Sequence, residues 1–226
     1  MRRAQIDRQA SPTNSLLMPE LEASCRPVFI QLQSELPSGS ALVLGVTSPA
    51  RGDGRSTVSL GLAAAGSYQI STQGRILLVD ADVENPTLHT RCGLSDGPGL
   101  HEVMTGQVQM TRAIVEVLPS VWLLPAGSKP INATRHMKKL EEFKLFEKLG
   151  KYFDAVIVDL PPVQTPGLGL LPQHIVPQLV MIARAAQTKR DDLQSAMSAF
   201  PPDVLSSVLL NEYRERIPRW MRRFLN

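Results

Sequence analysis

Residues 48–57 read "SPARGDGRST", between an apolar run, "ALVLGVT" at 41–47, and a helix-prone segment, "STVSLGLAAAGSYQ" at 56–69. Strand, glycine loop and helix, in that order, form the context in which backbone N–H groups turn inward around a phosphate. Small residues let the loop close, and the helix N-terminus adds roughly half a positive charge. Gly52, Asp53, Gly54, Arg55, Ser56 and Thr57 are therefore candidate nucleotide-phosphate contacts, and the Ser56 hydroxyl is a candidate ligand of Mg²⁺. The strict pattern G-x-x-x-x-G-K-[ST] is not met, because Pro49 takes the first glycine position and Arg55 the lysine position. Without a ligand the same residues make a plain turn between strand and helix, with Gly52 and Gly54 at positive φ and Arg55 in solvent.

Working outward, further short apolar runs recur: "RILLVDAD" (75–82), "VWLLPAG" (121–127), "FDAVIVDL" (153–160), "QLVMIAR" (178–184) and "SSVLLNE" (206–212). Runs of this kind are buried on both faces, as in parallel sheets. Helix-prone segments at 133–153 and 188–200 lie between them. The alternation predicts a three-layer α/β fold of the P-loop NTPase type, a mostly parallel sheet with helices on both faces. Ligands of such sheets sit beyond the carboxyl ends of the strands.

Two of these runs end in carboxylates at that edge. "ILLVDAD" delivers Asp80 and Asp82, and "AVIVDLPP" delivers Asp159. An aspartate beside a packed strand is costly unless paired, and hydrated Mg²⁺ is a natural partner. Ser56, Asp82 and Asp159 form the predicted metal set. Each aspartate alone also reads as a turn or cap residue; three of them together with the loop point to a site.

The chain has 226 residues, a net charge of +3 and 43% hydrophobic residues, enough for one core. No apolar run approaches the roughly 18 residues of a spanning helix, and no secretory signal follows Met1, so a cytoplasmic location is expected. Cys25 and Cys92 are far apart, which predicts neither a disulfide nor a zinc site. His89, His101, His136 and His174 show no ligand spacing and read as surface or helix-end residues. Residues 1–15 predict a flexible arm, 16–40 a covering helix interrupted by Pro27 and then a turn, 41–212 the main domain, and 213–226 a tail. Arginines 214, 216, 219, 222 and 223 concentrate the positive charge in that tail. There Trp220 and Phe224 fall on the apolar side of a short basic amphipathic segment, suited to an anionic membrane surface, a partner, or this protein's own core. Nothing beyond that charge suggests nucleic acid.

In order and spacing, "TSPARGDGRST", "LLVDADVENPTLH", "GLHEVMTG", "LLPAG", "YFDAVIVDLPPV" and "VLLN" resemble the bacterial tyrosine kinases of capsule and exopolysaccharide biosynthesis, relatives of the MinD/ParA ATPases. The resemblance covers about 41–212. It implies binding of ATP and Mg²⁺, with Arg55 at the loop lysine, Ser56 at the metal hydroxyl, Asp80 and Asp82 at the Walker A′ carboxylates and Asp159 at the Walker B carboxylate. Arg55, Asp80 and Asp82 are then the catalytic candidates, and Asn211 matches a position that reads adenine in related ATPases; it also reads as a turn residue. The resemblance further implies a membrane-embedded polysaccharide co-polymerase as partner, a homo-oligomer, and a peripheral place at the inner membrane.

Four departures from the family pattern bear on activity. Arg55 replaces lysine, and a planar guanidinium is no isostere of an ammonium. Glu84 stands where the family has arginine, and Leu168 where it has aspartate. The C-terminal tyrosine cluster is missing, leaving Tyr213 as the phosphoacceptor candidate. A fifth departure concerns assembly: Glu22 and Arg26 do not match the family's oligomerisation spacing. Three readings stay open: an active kinase-like component, a pseudokinase scaffold of the same machinery, and a MinD/ParA-like membrane-cycling ATPase.

Overall fold

The computed structural model describes residues 19–70, 74–169 and 175–212. The elements are α1 (Pro19–Ser34), β1 (Leu42–Thr47), α2 (Arg55–Gln69), β2 (Ile76–Asp80), α3 (Leu88–Arg91), α4 (Leu100–Met104), α5 (Met110–Ala113), β3 (Val115–Leu118), β4 (Val121–Leu124), α6 (Ala133–Phe143), α7 (Leu145–Leu149), β5 (Ala155–Asp159), β6 (Gln178–Arg184), α8 (Arg190–Ser198) and β7 (Leu205–Asn211). The strands form one seven-stranded sheet in the order β3-β4-β2-β5-β1-β6-β7. Every neighbouring pair is parallel except β3 with β4. The predicted three-layer α/β fold is the observed one.

The strand alternation divides each apolar run between two cores. Leu42, Leu44, Val46, Ile76, Leu78 and Ile157 face α1 and α2, where they meet Phe29, Leu32, Val58 and Leu62. Val43, Leu77, Val79, Val156, Val158 and Met181 face the other way, onto Leu100, Met137, Leu140, Phe146 and Phe200. Because both faces are covered, β1, β2 and β5 are buried along their whole length, which is why these strands read as unbroken hydrophobic runs.

Three local expectations are corrected. Pro27 does not interrupt α1, which runs through it and buries Glu22, Cys25, Phe29 and Leu32 along one stripe. That stripe presses on α2 at Gly61 and Gly66, where a Cβ would strike Cys25 Sγ and the Phe29 ring at 2.8 and 2.7 Å, so tertiary packing offsets the one lost backbone bond. The helix expected over 133–153 breaks into α6 and α7 at Lys144, whose φ is 46°. The antiparallel edge strand β3 was not foreseen, since its four residues are mostly solvent-facing and carry no continuous apolar signal. Cys25 and Cys92 are both free and buried. Among the described residues no helix is long and apolar enough to cross a membrane. The arm, Tyr213 and the tail with Trp220 and Phe224 lie outside the described residues.

Candidate nucleotide site

The parallel registers Val46↔Asp159 and Asp80↔Asp159 bring the carboxyl ends of β1, β2 and β5 to one edge of the sheet. The glycine loop, both Walker A′ aspartates and Asp159 therefore converge as predicted. Gly52 and Gly54 have φ of 90° and 97°, the left-handed conformations that let this loop turn into α2. At Gly54 a Cβ would lie 1.9 Å from Asn211 Nδ2, so glycine is required there twice over.

The rest of the loop is stapled from within the protein. Asp53 Oδ2 accepts the Ala50 backbone N–H at 3.1 Å, and its Oδ1 accepts the Thr188 hydroxyl at 2.8 Å. Asn211 Nδ2 donates to the Asp53 carbonyl at 3.0 Å. Arg184 bridges Glu212 at 2.7 Å and the Gly52 carbonyl at 3.4 Å. Asp53 and Asn211, both assigned to the nucleotide by sequence, thus shape the loop through these bonds. Thr188 and Arg184 do the same work and carry no motif by which sequence reasoning could have found them.

Arg55 is not in solvent. It is 8% exposed, and its guanidinium donates to the Leu160 carbonyl and to Asp82 Oδ2, the latter at 3.1 Å. Ser56 accepts a bond from the Thr87 hydroxyl at 3.0 Å, and Thr57 accepts one from Arg91 at 3.2 Å. Asp80 Oδ2 accepts the backbone N–H groups of Thr87 and Leu88 at 3.0 and 2.9 Å, so this carboxylate shapes the segment leading into α3. Ser59 donates to Asp159 at 3.4 Å, a long bond for a fully buried carboxylate.

Electrostatically the site is strained towards neutrality. Burial, reinforced by the charge of Asp159, pushes the Asp80 carboxyl up to about 7. Burial likewise raises Asp159 to about 6, opposed by the Arg55 charge and by the Ser56 and Ser59 hydroxyls. Asp80 Oδ1 and Asp82 Oδ1 are buried with no hydrogen-bond partner. Raised carboxyls and oxygens without partners are features that functional sites share.

This donor set fits the groups implied by the resemblance. Ser56 and Asp159, which lie against one another, are of the chemistry that holds hydrated Mg²⁺, and the Asp80 and Asp82 oxygens without partners add further acceptors. Among the described residues no three His, Cys, Asp or Glu side chains gather into a self-sufficient metal cage.

Two neighbourhoods were missed or misread from sequence. One is an open pocket of about 560 Å³ lined by Pro86, His89, Asp96, Glu102, Ser128 and Lys129. His136, read from sequence as a surface or helix-end residue, lies in the first turn of α6 but is 5% exposed, its ring tilted by 44° to that of His101 with centroids 5.4 Å apart. Its position on the inward face of α6 follows from Met137 and Leu140 beside it. Of the family departures, Leu168 is buried in the second core, and Glu22 forms an ion pair with Arg26 within α1 at 2.8 Å.

No protein-family model matches the chain. The tyrosine-protein kinase ptk of Acinetobacter johnsonii is 27% identical over 178 residues, covering 78% of this chain and 24% of its own length. The tyrosine-protein kinase CpsD of Streptococcus agalactiae serotype III is 24% identical over 180 residues, covering 77% of this chain and 76% of its own length. The chain therefore spans about a quarter of the first relative and three quarters of the second. Among solved structures, the kinase domain of the Escherichia coli tyrosine kinase ETK superposes with a TM-score of 0.79 at 18% identity, over 96% of this chain and 87% of that one. The septum site-determining protein MinD of Pyrococcus horikoshii, complexed with Mg-ADP, superposes with a TM-score of 0.60 at 20% identity, over 82% and 77%. At those identities the structures establish the shared fold, while the sequence relatives carry the kinase resemblance. The chain is thus similar in sequence to bacterial tyrosine kinases, and it shares its fold with their kinase domains and with MinD.

Proposed function

We propose that this protein is the ATP-binding, tyrosine-kinase-like component of capsule or exopolysaccharide biosynthesis, acting peripherally at the inner membrane with a polysaccharide co-polymerase. The observation that carries the reading is the convergence of Asp80, Asp82 and Asp159 on the glycine loop, all three buried and the first two each with one oxygen that has no partner. Gly52, Gly54, Ser56 and Thr57 would cradle the phosphates. Ser56 and Asp159, with the second oxygen of Asp82, would hold Mg²⁺, which supplies charge neutralisation for phosphoryl transfer when bound.

In that reaction a tyrosine hydroxyl loses its proton to a carboxylate while its oxygen forms the new bond to phosphorus and the bond to the nucleotide diphosphate breaks. Asp80 is the better base of the two candidates. Its Oδ1 has no partner and its carboxyl lies near 7, close to working pH, whereas Asp82 is committed to Arg55. Tyr213 is the phosphoacceptor candidate in this chain, and Trp220 and Phe224 would seat the tail on the membrane or the co-polymerase.

A scaffold without phosphotransfer is favoured by one observation: the Arg55 guanidinium points into the carboxylate cluster, away from the role of the family's loop lysine. Incubation with ATP and Mg²⁺, followed by phosphotyrosine detection, separates the two. Phosphotyrosine that disappears in Asp159→Asn supports the kinase; ATP binding without any phosphotyrosine, alone or with the co-polymerase's cytoplasmic segment, supports the scaffold. Absence of nucleotide binding refutes the kinase and leaves a nucleotide-free scaffold.

A further inference from the structure

We infer that Arg55 acts as a built-in cation at the Walker A′ carboxylates, so that this protein binds nucleotide nearly independently of Mg²⁺. The inference rests on the nucleotide reading above and concerns how that site is neutralised.

Three facts carry it. Arg55 stands at the first turn of α2, directly after the loop, yet its guanidinium is buried between the Leu160 carbonyl and Asp82 Oδ2. Both partners lie at the strand ends: Leu160 follows β5, and Asp82 lies two residues beyond β2. The side chains of Arg55 and Asp82 are 9% and 4% exposed, so the pair sits in a low-dielectric setting where a charge is held only if compensated. A lysine ammonium carries its three donors on one nitrogen, whereas the guanidinium reaches the Leu160 carbonyl and the Asp82 carboxylate from two nitrogens of one plane. The arginine carries the same single positive charge as a lysine but directs it at Asp82, which is neutralised before any metal arrives. The guanidinium also faces Asp159, whose carboxylate its charge stabilises.

For a nucleotide, the usual obstacle at such an edge is repulsion between its phosphates and the carboxylates, which a divalent cation relieves. Here the cation is covalently part of the loop. Mg²⁺ can still ride on the nucleotide through Ser56 and Asp159, but little binding energy depends on it.

The test is ADP affinity by calorimetry on the full chain, in Mg²⁺ and in EDTA, for the wild type and for Arg55→Lys. The wild-type affinities should agree within about threefold, a difference under roughly 0.7 kcal/mol. Arg55→Lys should bind at least about tenfold more weakly in EDTA than in Mg²⁺. As a readout free of nucleotide, Mg²⁺ alone should leave the wild-type melting temperature unchanged and raise that of Arg55→Lys. Wild-type binding that falls tenfold or more in EDTA overturns the inference and leaves the nucleotide reading intact. Failure to bind ADP in either buffer refutes the nucleotide reading itself, and the inference with it. Should Arg55→Lys not fold, the wild-type comparison decides alone.

Discussion

Asp159→Asn should make this protein more stable while disabling its site. Asp159 is 1% exposed, the hydrogen bond it accepts from Ser59 is long at 3.4 Å, and its carboxyl is raised from 3.8 to about 6. A value higher in the folded protein than in the unfolded chain means that folding takes up a proton. This stability is fully present below about pH 4 and is lost as pH rises through about 6. At about 1.4 kcal/mol per tenfold, the ionised carboxylate costs on the order of 3 kcal/mol at pH 8. Asparagine keeps the shape, still accepts from the serine hydroxyls, and removes the charge that helps to raise Asp80. For a domain of this size that gain corresponds to roughly 6–12 °C in melting temperature at pH 8, shrinking to nothing near pH 4. Urea unfolding of both proteins between pH 4 and pH 8 measures it. A variant less stable than wild type at pH 8 would mean that the buried carboxylate is well paired, and would refute the reasoning that reads this edge as a functional site.

Other outcomes follow from the same geometry. Gly54→Ala should distort the loop, because its φ of 97° and the 1.9 Å approach of Asn211 both oppose a Cβ; thermal melts should show a loss of at least about 2 kcal/mol, and ADP affinity should drop at least tenfold. Phe29→Ala should cost about 3–5 kcal/mol in denaturant titration by opening a cavity between α1 and α2. His136 is held down to about 4 by burial and by its neighbour His101, so acidification from about pH 6.5 towards 4 forces a proton onto a site that rejects it. Stability should therefore fall over that window in the wild type and stay flatter in His136→Leu, as read by melts across pH. The carboxylate and imidazole effects have opposite slopes, so Asp159→Asn should steepen the acid-side decline.

The sheet, its two covered faces and the edge that carries the site were legible in the chain itself. Continuous runs such as "ILLVD" and "AVIVD" can be satisfied only by burial on both sides, and their terminal aspartates announced the edge before any contact was known. The loop was legible for the same local reason, since Gly52 and Gly54 had to supply left-handed turns between strand and helix. What the chain could not reveal was every partner reached across long separations. Arg55 meets Asp82 and Leu160, 27 and 105 residues away, and that decides whether the loop cation faces phosphate or carboxylate. Asn211 closes on Asp53 across 158 residues, so its role in the loop depends on β7 lying beside β6 at the right register. The continuity of α1 through Pro27 and the burial of His136 were settled in the same way, by packing that outweighs local preference. Residue types and spacings determine which strands exist and what they carry; only the tertiary structure decides which charges meet, because charges pair through space and not along the chain.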